Sequence, residues 1–247
     1  MKSAIISEQF NGIIWRMETD AITDTIFVES RNAGDHKVSF SAIDLKTGNI
    51  LYKDLVTDEQ WLTGIESAYN GVLLLHGYQN ENSPVHKGLT AINPEGKKLW
   101  SNYTYAFDHL TSEGPAVYNI QLQPKKLFAI DIQTGQALKP LTGFEPEGNK
   151  EIAYPDMAFE GLAFDLPVEP ISNSTFYIKH NNLIIVSLHA EANAGYNQHL
   201  YVLQNGDTVF EDILNTGVPK LQPEAFILFK NYLVYIKNKQ ELKVISL

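Results

Sequence analysis

Apolar residues occur in short runs separated by polar turn residues, a pattern that predicts β-strands. Runs rich in Val, Ile, Leu and aromatic residues recur along the chain, at residues 25–30, 71–76, 115–120, 183–188 and 232–236. No segment has helical periodicity over about eleven residues. The pattern therefore predicts a nearly all-β protein.

Three segments, residues 42–52, 91–100 and 129–138, repeat one phrase. In each, a strand ends in Ala-Ile followed by Asp or Asn, a turn with Gly follows, and a second strand begins. Asp accepts backbone N–H groups across a tight turn and Gly supplies the positive φ that closes it, so Asp44 and Asp131 are interpreted as structural residues.

A weaker copy of the phrase occupies residues 201–210, and a fifth is split between residues 241–247 and 10–16. The turn glycines of the three clear copies lie 39 to 48 residues apart. Units that recur at this spacing, each with an apolar face it cannot bury alone, predict an array of small sheets. The split copy predicts a ring in which the strand around Ile13–Trp15 pairs with the strand around Val244–Leu247. We therefore predict a β-propeller of five four-stranded blades, with six or seven as the alternative, in a single domain of residues 1–247.

The repeated phrase resembles the tryptophan-docking repeat of quinoprotein-like β-propellers, the pyrroloquinoline-quinone (PQQ) type. The whole chain is also similar to an uncharacterised family of small bacterial propellers, a domain of unknown function. The aromatic residues that end the phrase, Trp15 and Trp100 among them, are expected to pack on a neighbouring sheet. The resemblance implies that a quinone enzyme would carry a vicinal cysteine pair. Because the chain has no cysteine, no quinone is expected, and no other cofactor is predicted.

The composition of the chain disfavours several classes of function. The net charge is −10 and the chain has only two arginines, Arg16 and Arg31, which disfavours nucleic-acid binding. The N-terminal residues lack a signal-peptide pattern, and no stretch approaches the roughly 18 apolar residues of a membrane span. A cytoplasmic protein that does not bind membranes is the expectation.

An acidic and aromatic insertion is predicted at residues 142–174, which hold seven carboxylates and one lysine. Its aromatic residues indicate that it packs on the propeller, over one mouth of the ring. It either plugs the channel or forms a lid or recognition surface for a basic partner. Its candidate binding residues are Tyr154, Asp156, Phe159 and Glu160.

One candidate metal site follows from the histidines. His189 and Glu191 lie two residues apart on a predicted strand, and His199 follows, on what could be the adjacent strand of a hairpin. A hairpin rim explains this segment equally well. The other histidines of predicted strand ends and loops are His36, His76, His86 and His180.

No catalytic motif is present among the serine-hydrolase, Walker, dinucleotide-binding and zinc-protease patterns. The predicted function is therefore a non-catalytic binding or scaffold protein, which takes a protein or small-molecule partner at one mouth of the ring. The alternative is a glycan hydrolase with paired carboxylates at the channel mouth, about 5–9 Å apart. Its candidate carboxylates are Glu66, Asp108 and Glu113.

Overall fold

The computed structural model describes residues 5–141, 151–158, 166–222 and 225–247. These residues form an all-β structure of five antiparallel sheets. The chain divides into two compact units: an N-terminal unit of residues 10–150, and a C-terminal unit of residues 151–247 together with residues 1–9. The single domain, the count of blades and the closure of a ring stay predictions.

The N-terminal unit contains three four-stranded meanders. Sheet 1 consists of β2 (Ile13–Asp20), β3 (Thr25–Asn32), β4 (Lys37–Asp44) and β5 (Ile50–Leu55). Sheet 2 consists of β6 (Thr63–Tyr69), β7 (Val72–Asn80), β8 (Ser83–Ile92) and β9 (Lys98–Asn102). Sheet 3 consists of β10 (Tyr105–Thr111), β11 (Gly114–Asn119), β12 (Leu127–Ile130) and β13 (Ala137–Pro140).

The C-terminal unit contains two five-stranded sheets. Sheet 4 has the order β15 (Asp156–Met157), β16 (Phe176–His180), β17 (Leu183–Ala192), β18 (Gly195–Gln204) and β19 (Asp207–Val218). Sheet 5 has the order β1 (Ile6–Gln9), β22 (Glu241–Ser246), β21 (Tyr232–Lys237), β20 (Phe226–Phe229) and β14 (Ile152–Ala153). The fifth strands are β14 and β15, which come from the predicted insertion and lengthen both sheets beyond the four strands expected.

All five apolar runs are strands, and each is the strand that precedes a copy of the phrase. The turns of the phrase have the predicted construction. The Oδ1 atom of Asp44 accepts the N–H groups of Lys46 and Thr47 at 2.7 and 3.2 Å, and that of Asp131 accepts those of Gln133 and Thr134 at 3.0 and 2.8 Å. Asp44 and Asp131 therefore act in the turns, as the sequence indicated.

Aromatic side chains join the sheets of the N-terminal unit by packing on turn glycines. The Trp100 indole of sheet 2 lies on Gly135 of sheet 3 and donates its Nε1–H to the Ile132 carbonyl at 2.8 Å. The Tyr52 ring of sheet 1 lies on Gly96 of sheet 2 in the same way. A Cβ atom at Gly135 would be only 2.7 Å from the Trp100 ring, so the contact requires glycine.

Trp15 does not follow this pattern, and the expectation that it docks is wrong. Its side chain is 66% exposed. It lies in β2, where a bulge opposite Ser30 and Glu29 leaves it without a partner in β3.

The chain ends do pair, but through a different segment from the one predicted. β1 pairs with β22 in a register that sets Ile6 opposite Val244, whereas Ile13 lies in β2 opposite Arg31. Ile6 is 4% exposed and Ile13 is 47% exposed. The prediction selected the wrong apolar residues because Phe10–Arg16 matched the second half of the phrase.

We expect Gly135→Ala to lower the free energy of unfolding by about 2–4 kcal/mol, from the left-handed φ and from overpacking on Trp100. Gly206→Ala is the matched control, since its φ is +92° but no atom lies within 4 Å of the added methyl. Gly206→Ala should lower the free energy of unfolding by only about 1–2 kcal/mol, the cost of placing alanine at a left-handed φ. Urea unfolding measures both, and equal losses would show that the ring contact does not matter.

We expect Ile6→Ala to lower the free energy of unfolding by about 2–4 kcal/mol, because it removes a buried side chain from the pairing of the chain ends. Ile13→Ala should change it by no more than about 0.5 kcal/mol, as for exposed positions. The urea midpoints of the two variants test this directly. A larger loss at Ile13 would restore the pairing predicted from the sequence.

Candidate functional site

A β-bulge interrupts the first strand of each sheet in the N-terminal unit. The extra residue is Trp15 in β2, Glu66 in β6 and Asp108 in β10. A bulge redirects the side chain of the extra residue, and bulges are common beside active sites. Two of the three bulged residues, Glu66 and Asp108, are carboxylates that the sequence singled out.

The Glu29 carboxylate lies buried between sheets 1 and 2. Its Oε1 accepts a hydrogen bond from Arg31 Nε at 2.7 Å, and its Oε2 accepts the Ile65 N–H at 2.8 Å. Arg31 Nη2 donates to the Thr63 carbonyl at 2.7 Å. The buried charge is therefore fully paired, as a buried carboxylate must be to be tolerated.

Arg16 links the same two sheets. Its Nη2 donates to the Glu66 carbonyl at 3.0 Å and lies 3.4 Å from Glu18 Oε2. Burial raises the pKa of Glu18, although the Arg16 charge opposes the shift. Both arginines of the chain thus lie at one place in the fold.

Tyr78 of β7 lies among these charges. Burial raises the pKa of its phenol, and Arg31, Glu29, Arg16 and Glu66 all act on it electrostatically. We call this group of residues the polar site. Its members are Arg16, Glu18, Glu29, Arg31, Glu66, His76, Tyr78 and His86.

Two histidines of the polar site face Glu66. Glu66 Oε2 lies 2.9 Å from His86 Nδ1 and 3.1 Å from His76 Nδ1. Burial by itself would raise the pKa of Glu66, but the interactions with His76 and His86 outweigh it and lower that pKa. The carboxylate of Glu66 is therefore held in its ionised form.

An aromatic groove adjoins the polar site. It encloses about 500 Å³ and its lining includes Trp15, Arg31, Trp61, Tyr78 and Asn80. The Arg31 guanidinium carbon lies 5.7, 5.2 and 6.0 Å from the ring centroids of Trp15, Trp61 and Tyr78. One arginine thus holds three rings by cation–π contacts.

The other two candidate carboxylates have separate partners in sheet 3 and its loops. Asp108 forms an ion pair with Lys125 and a hydrogen bond of 2.7 Å with His109 Nδ1. Glu113 lies 2.7 Å from Lys139 Nζ. Burial opposes the ionisation of Asp108, but the bonds from Lys125 and His109 prevail and lower its pKa.

The residues of the predicted histidine metal site do not meet. In the pairing of β17 with β18, Leu188 is opposite His199 and His189 is opposite Gln198. Because neighbouring residues of a strand point to opposite faces, His189 and His199 lie on different faces of sheet 4. His189 Nε2 accepts the Gln222 N–H at 3.1 Å, His199 Nδ1 lies 3.2 Å from the Tyr201 hydroxyl, and Glu191 is exposed.

The insertion is described only in part. Tyr154 is 69% exposed, and Asp156 pairs with Tyr177 in sheet 4. Phe159 and Glu160 lie outside the described residues. Leu166 and Val168 pack against a buried cluster of sheet 4. Whether the insertion acts as plug or recognition surface stays a prediction.

Sequence reasoning missed most of the polar site. His76 and His86 were interpreted as strand-end or loop residues, and Arg16 and Arg31 only as too few for phosphate binding. One signal was available: a chain with two arginines places both within sixteen residues, near Glu18 and Glu29. The apolar pattern of the sequence does not indicate the bulges or the strand register that bring these residues to Glu66.

Comparison with known proteins supports a family match over part of the chain. Residues 19–100 match the model of a domain of unknown function, DUF4905. This segment includes every member of the polar site except Arg16 and Glu18. A search of the curated proteins finds no match.

Two solved structures resemble the chain at low identity. The β-propeller domain of the Trilobed protease from Pyrococcus furiosus, described as having an open velcro topology, has 10% identity and a TM-score of 0.32, over 95% of this chain and 69% of that one. The acylaminoacyl peptidase of Pyrococcus horikoshii has 9% identity and a TM-score of 0.30, over 92% of this chain and 36% of that one. With TM-scores this low, neither likeness supports a shared function.

No helix long and apolar enough to cross a membrane occurs among the residues that the structure describes. The cytoplasmic location and the bacterial origin stay predictions.

The shifted pKa values of Glu18 and Asp108 predict effects of opposite sign on stability. The pKa of Glu18 is raised on folding, so its ionisation destabilises the protein as pH rises above the unfolded value of about 4.3. Glu18→Gln should therefore be more stable than the unmodified protein, by a difference that grows between pH 4 and pH 7.

The pKa of Asp108 is lowered on folding, so its ionisation stabilises the protein above the unfolded pKa of about 3.9. This stabilisation is lost as pH falls through the pKa of the folded state.

Asp108→Asn should accordingly lose stability at pH 7 and lose less at pH 3. Urea unfolding of both variants across this pH range measures the differences. Parallel pH curves for the variants and the unmodified protein would contradict the assigned shifts.

Proposed function

We propose that this protein is a non-catalytic binding protein, built on PQQ-type propeller repeats, that holds a neutral saccharide against the Trp15 indole. The packing of Tyr52 on Gly96 and of Trp100 on Gly135, at corresponding points of the phrase, supports the repeat type. The observation that carries the function is the Trp15 indole, 66% exposed at an arginine-braced groove.

The arrangement of the groove favours a ring-shaped ligand. Its volume of about 500 Å³ is within the usual range for ligand sites, roughly 300–1,000 Å³. An exposed indole costs free energy in water, and the apolar C–H face of a sugar ring can cover it. Trp61 already stacks on His36 with ring centroids 4.5 Å apart, so Trp15 is the more available platform.

Polar groups at the rim suit hydroxyls rather than an anion. Asn80, Glu81, Asn82 and Ser83 supply amide, carboxylate and hydroxyl groups beside the rings. Arg31 donates to Glu29 Oε1, the Thr63 carbonyl and the Trp61 carbonyl, so its donors are largely occupied. The chain's net charge of −10 also repels an acidic ligand. A neutral saccharide therefore fits best.

Trp15→Ala tests this function against a panel of neutral oligosaccharides, with binding measured by calorimetry. We expect affinity to fall at least about tenfold, a loss of about 1.4 kcal/mol, while the urea midpoint is unchanged because the indole is exposed. Tyr154→Ala is the matched control, since that ring is similarly exposed but lies in the insertion. Affinity for the panel should be unaffected there.

Two results would overturn the proposal: no saccharide of the panel binds, or Trp15→Ala binds as well as the unmodified protein. Loss of binding in Tyr154→Ala alone would instead favour the insertion as the recognition surface.

A glycan hydrolase is the second candidate, and one observation favours it. Glu66 acts electrostatically on Glu18, and the pKa values of the two carboxyls shift in opposite directions, the arrangement expected of an acid and a base. Release of reducing sugar from the same panel, abolished by Glu18→Gln with binding retained, would support this candidate over the first.

A further inference from the structure

Three metal-ligating side chains converge in sheet 2. Glu66 of β6, His76 of β7 and His86 of β8 each offer one donor atom, and the three atoms lie within 4.8 Å of one another. Among the residues that the structure describes, this is the one such group. Register brings them together: Gly64 is opposite His76, Tyr78 is opposite His86, and the bulge directs Glu66 toward both rings.

His76 supplies an independent indication that the group takes a ligand. Its side chain is 2% exposed, and its Nε2 atom has no hydrogen-bond partner. Its Nδ1 atom lies 3.1 Å from Glu66 Oε2. Buried polar groups are nearly always satisfied, and an orphaned one calls for an explanation such as a missing ion.

Gly64 leaves the space that the His76 ring occupies. A Cβ atom there would lie 3.1 Å from His76 Nε2 and 3.2 Å from Glu29 Oε2. The imidazole therefore packs with its Nε2 edge against the backbone of Gly64, while its Nδ1 atom lies beside Glu66.

We propose that Glu66, His76 and His86 bind a divalent transition-metal ion of the Zn²⁺ class. Two imidazoles and one carboxylate are ligands that zinc and its neighbours prefer, whereas calcium and magnesium take oxygen ligands. Three protein ligands leave a position open for water or a further ligand. The site goes beyond the proposed saccharide function, because none of its ligands is Trp15 and it needs no sugar.

Binding requires one ring to turn. The His76 and His86 rings are stacked, with centroids 3.5 Å apart and planes 6° from parallel. A metal binds an imidazole nitrogen in the plane of the ring, so two parallel stacked rings cannot both direct a nitrogen at one ion. His86 is the ring that turns, since its side chain is 39% exposed, while His76 is buried and packs edge-on against Tyr78.

Calorimetric titration of the full-length, untagged protein with Zn²⁺ tests the site. We expect one ion per chain, because the described residues contain one such group of ligands. Co²⁺ should bind in place of Zn²⁺ and report the ligands by its visible absorption, and Ca²⁺ should not compete. His86→Gln and Glu66→Gln should each weaken Zn²⁺ binding at least about tenfold, since even outer-shell losses reach that size.

His180→Gln is the matched control, because His180 lies outside the group and bonds to Asn231 at 3.1 Å. It should bind Zn²⁺ as the unmodified protein does. His86 is at the surface, so its variant should fold even if His76→Ala does not. No stoichiometric Zn²⁺ binding, or binding unaffected by His86→Gln, would overturn the proposal, whatever the outcome of the saccharide experiment.

Discussion

The packing of an aromatic ring on the turn glycine of the next sheet is the contact on which the N-terminal unit depends. Tyr52 on Gly96 joins sheet 1 to sheet 2, and Trp100 on Gly135 joins sheet 2 to sheet 3. Each glycine has positive φ, and an added Cβ atom would lie 3.2 Å from the Tyr52 ring at Gly96 and 2.7 Å from the Trp100 ring at Gly135. The contact of a rigid ring with the glycine backbone fixes the distance between neighbouring sheets. It therefore also fixes how far apart sheets 1 and 2 hold the residues of the polar site.

A second constraint acts within this frame. The buried Glu29 carboxylate takes one bond from Arg31 in its own sheet and one from the Ile65 backbone in the next. A buried charge tolerates little displacement, because loss of either partner would leave one carboxylate oxygen without that hydrogen bond. The pair therefore holds β6 against β3 immediately beside the bulge that carries Glu66.

The bulges distinguish three sheets that are otherwise alike. The same place in the first strand carries an indole in sheet 1, a carboxylate facing two histidines in sheet 2, and a carboxylate paired with lysine in sheet 3. One structural device thus presents a stacking platform, a metal-ligand group and an ion pair. The chemistry at each bulge depends on the side chains that the neighbouring strands place beside it. The repeated phrase does not determine it.

Local pattern alone determined the strands, the Asp and Gly turns and the docking of Trp100, because each depends on residues a few positions apart. The pairing of the chain ends was predicted too, although with Ile13–Trp15 where the structure uses Ile6–Gln9. The site was decided only by tertiary structure. Tyr52 and Trp100 lie in the fourth strands of their sheets, whereas Trp15 lies in a first strand, so Trp15 is exposed rather than docked. Register sets His189 and His199 on opposite faces, and brings His76 and His86 to Glu66. All of these pairings are hairpins, whose registers depend on the turn and on the bulges, and the apolar pattern of the sequence alone determines neither.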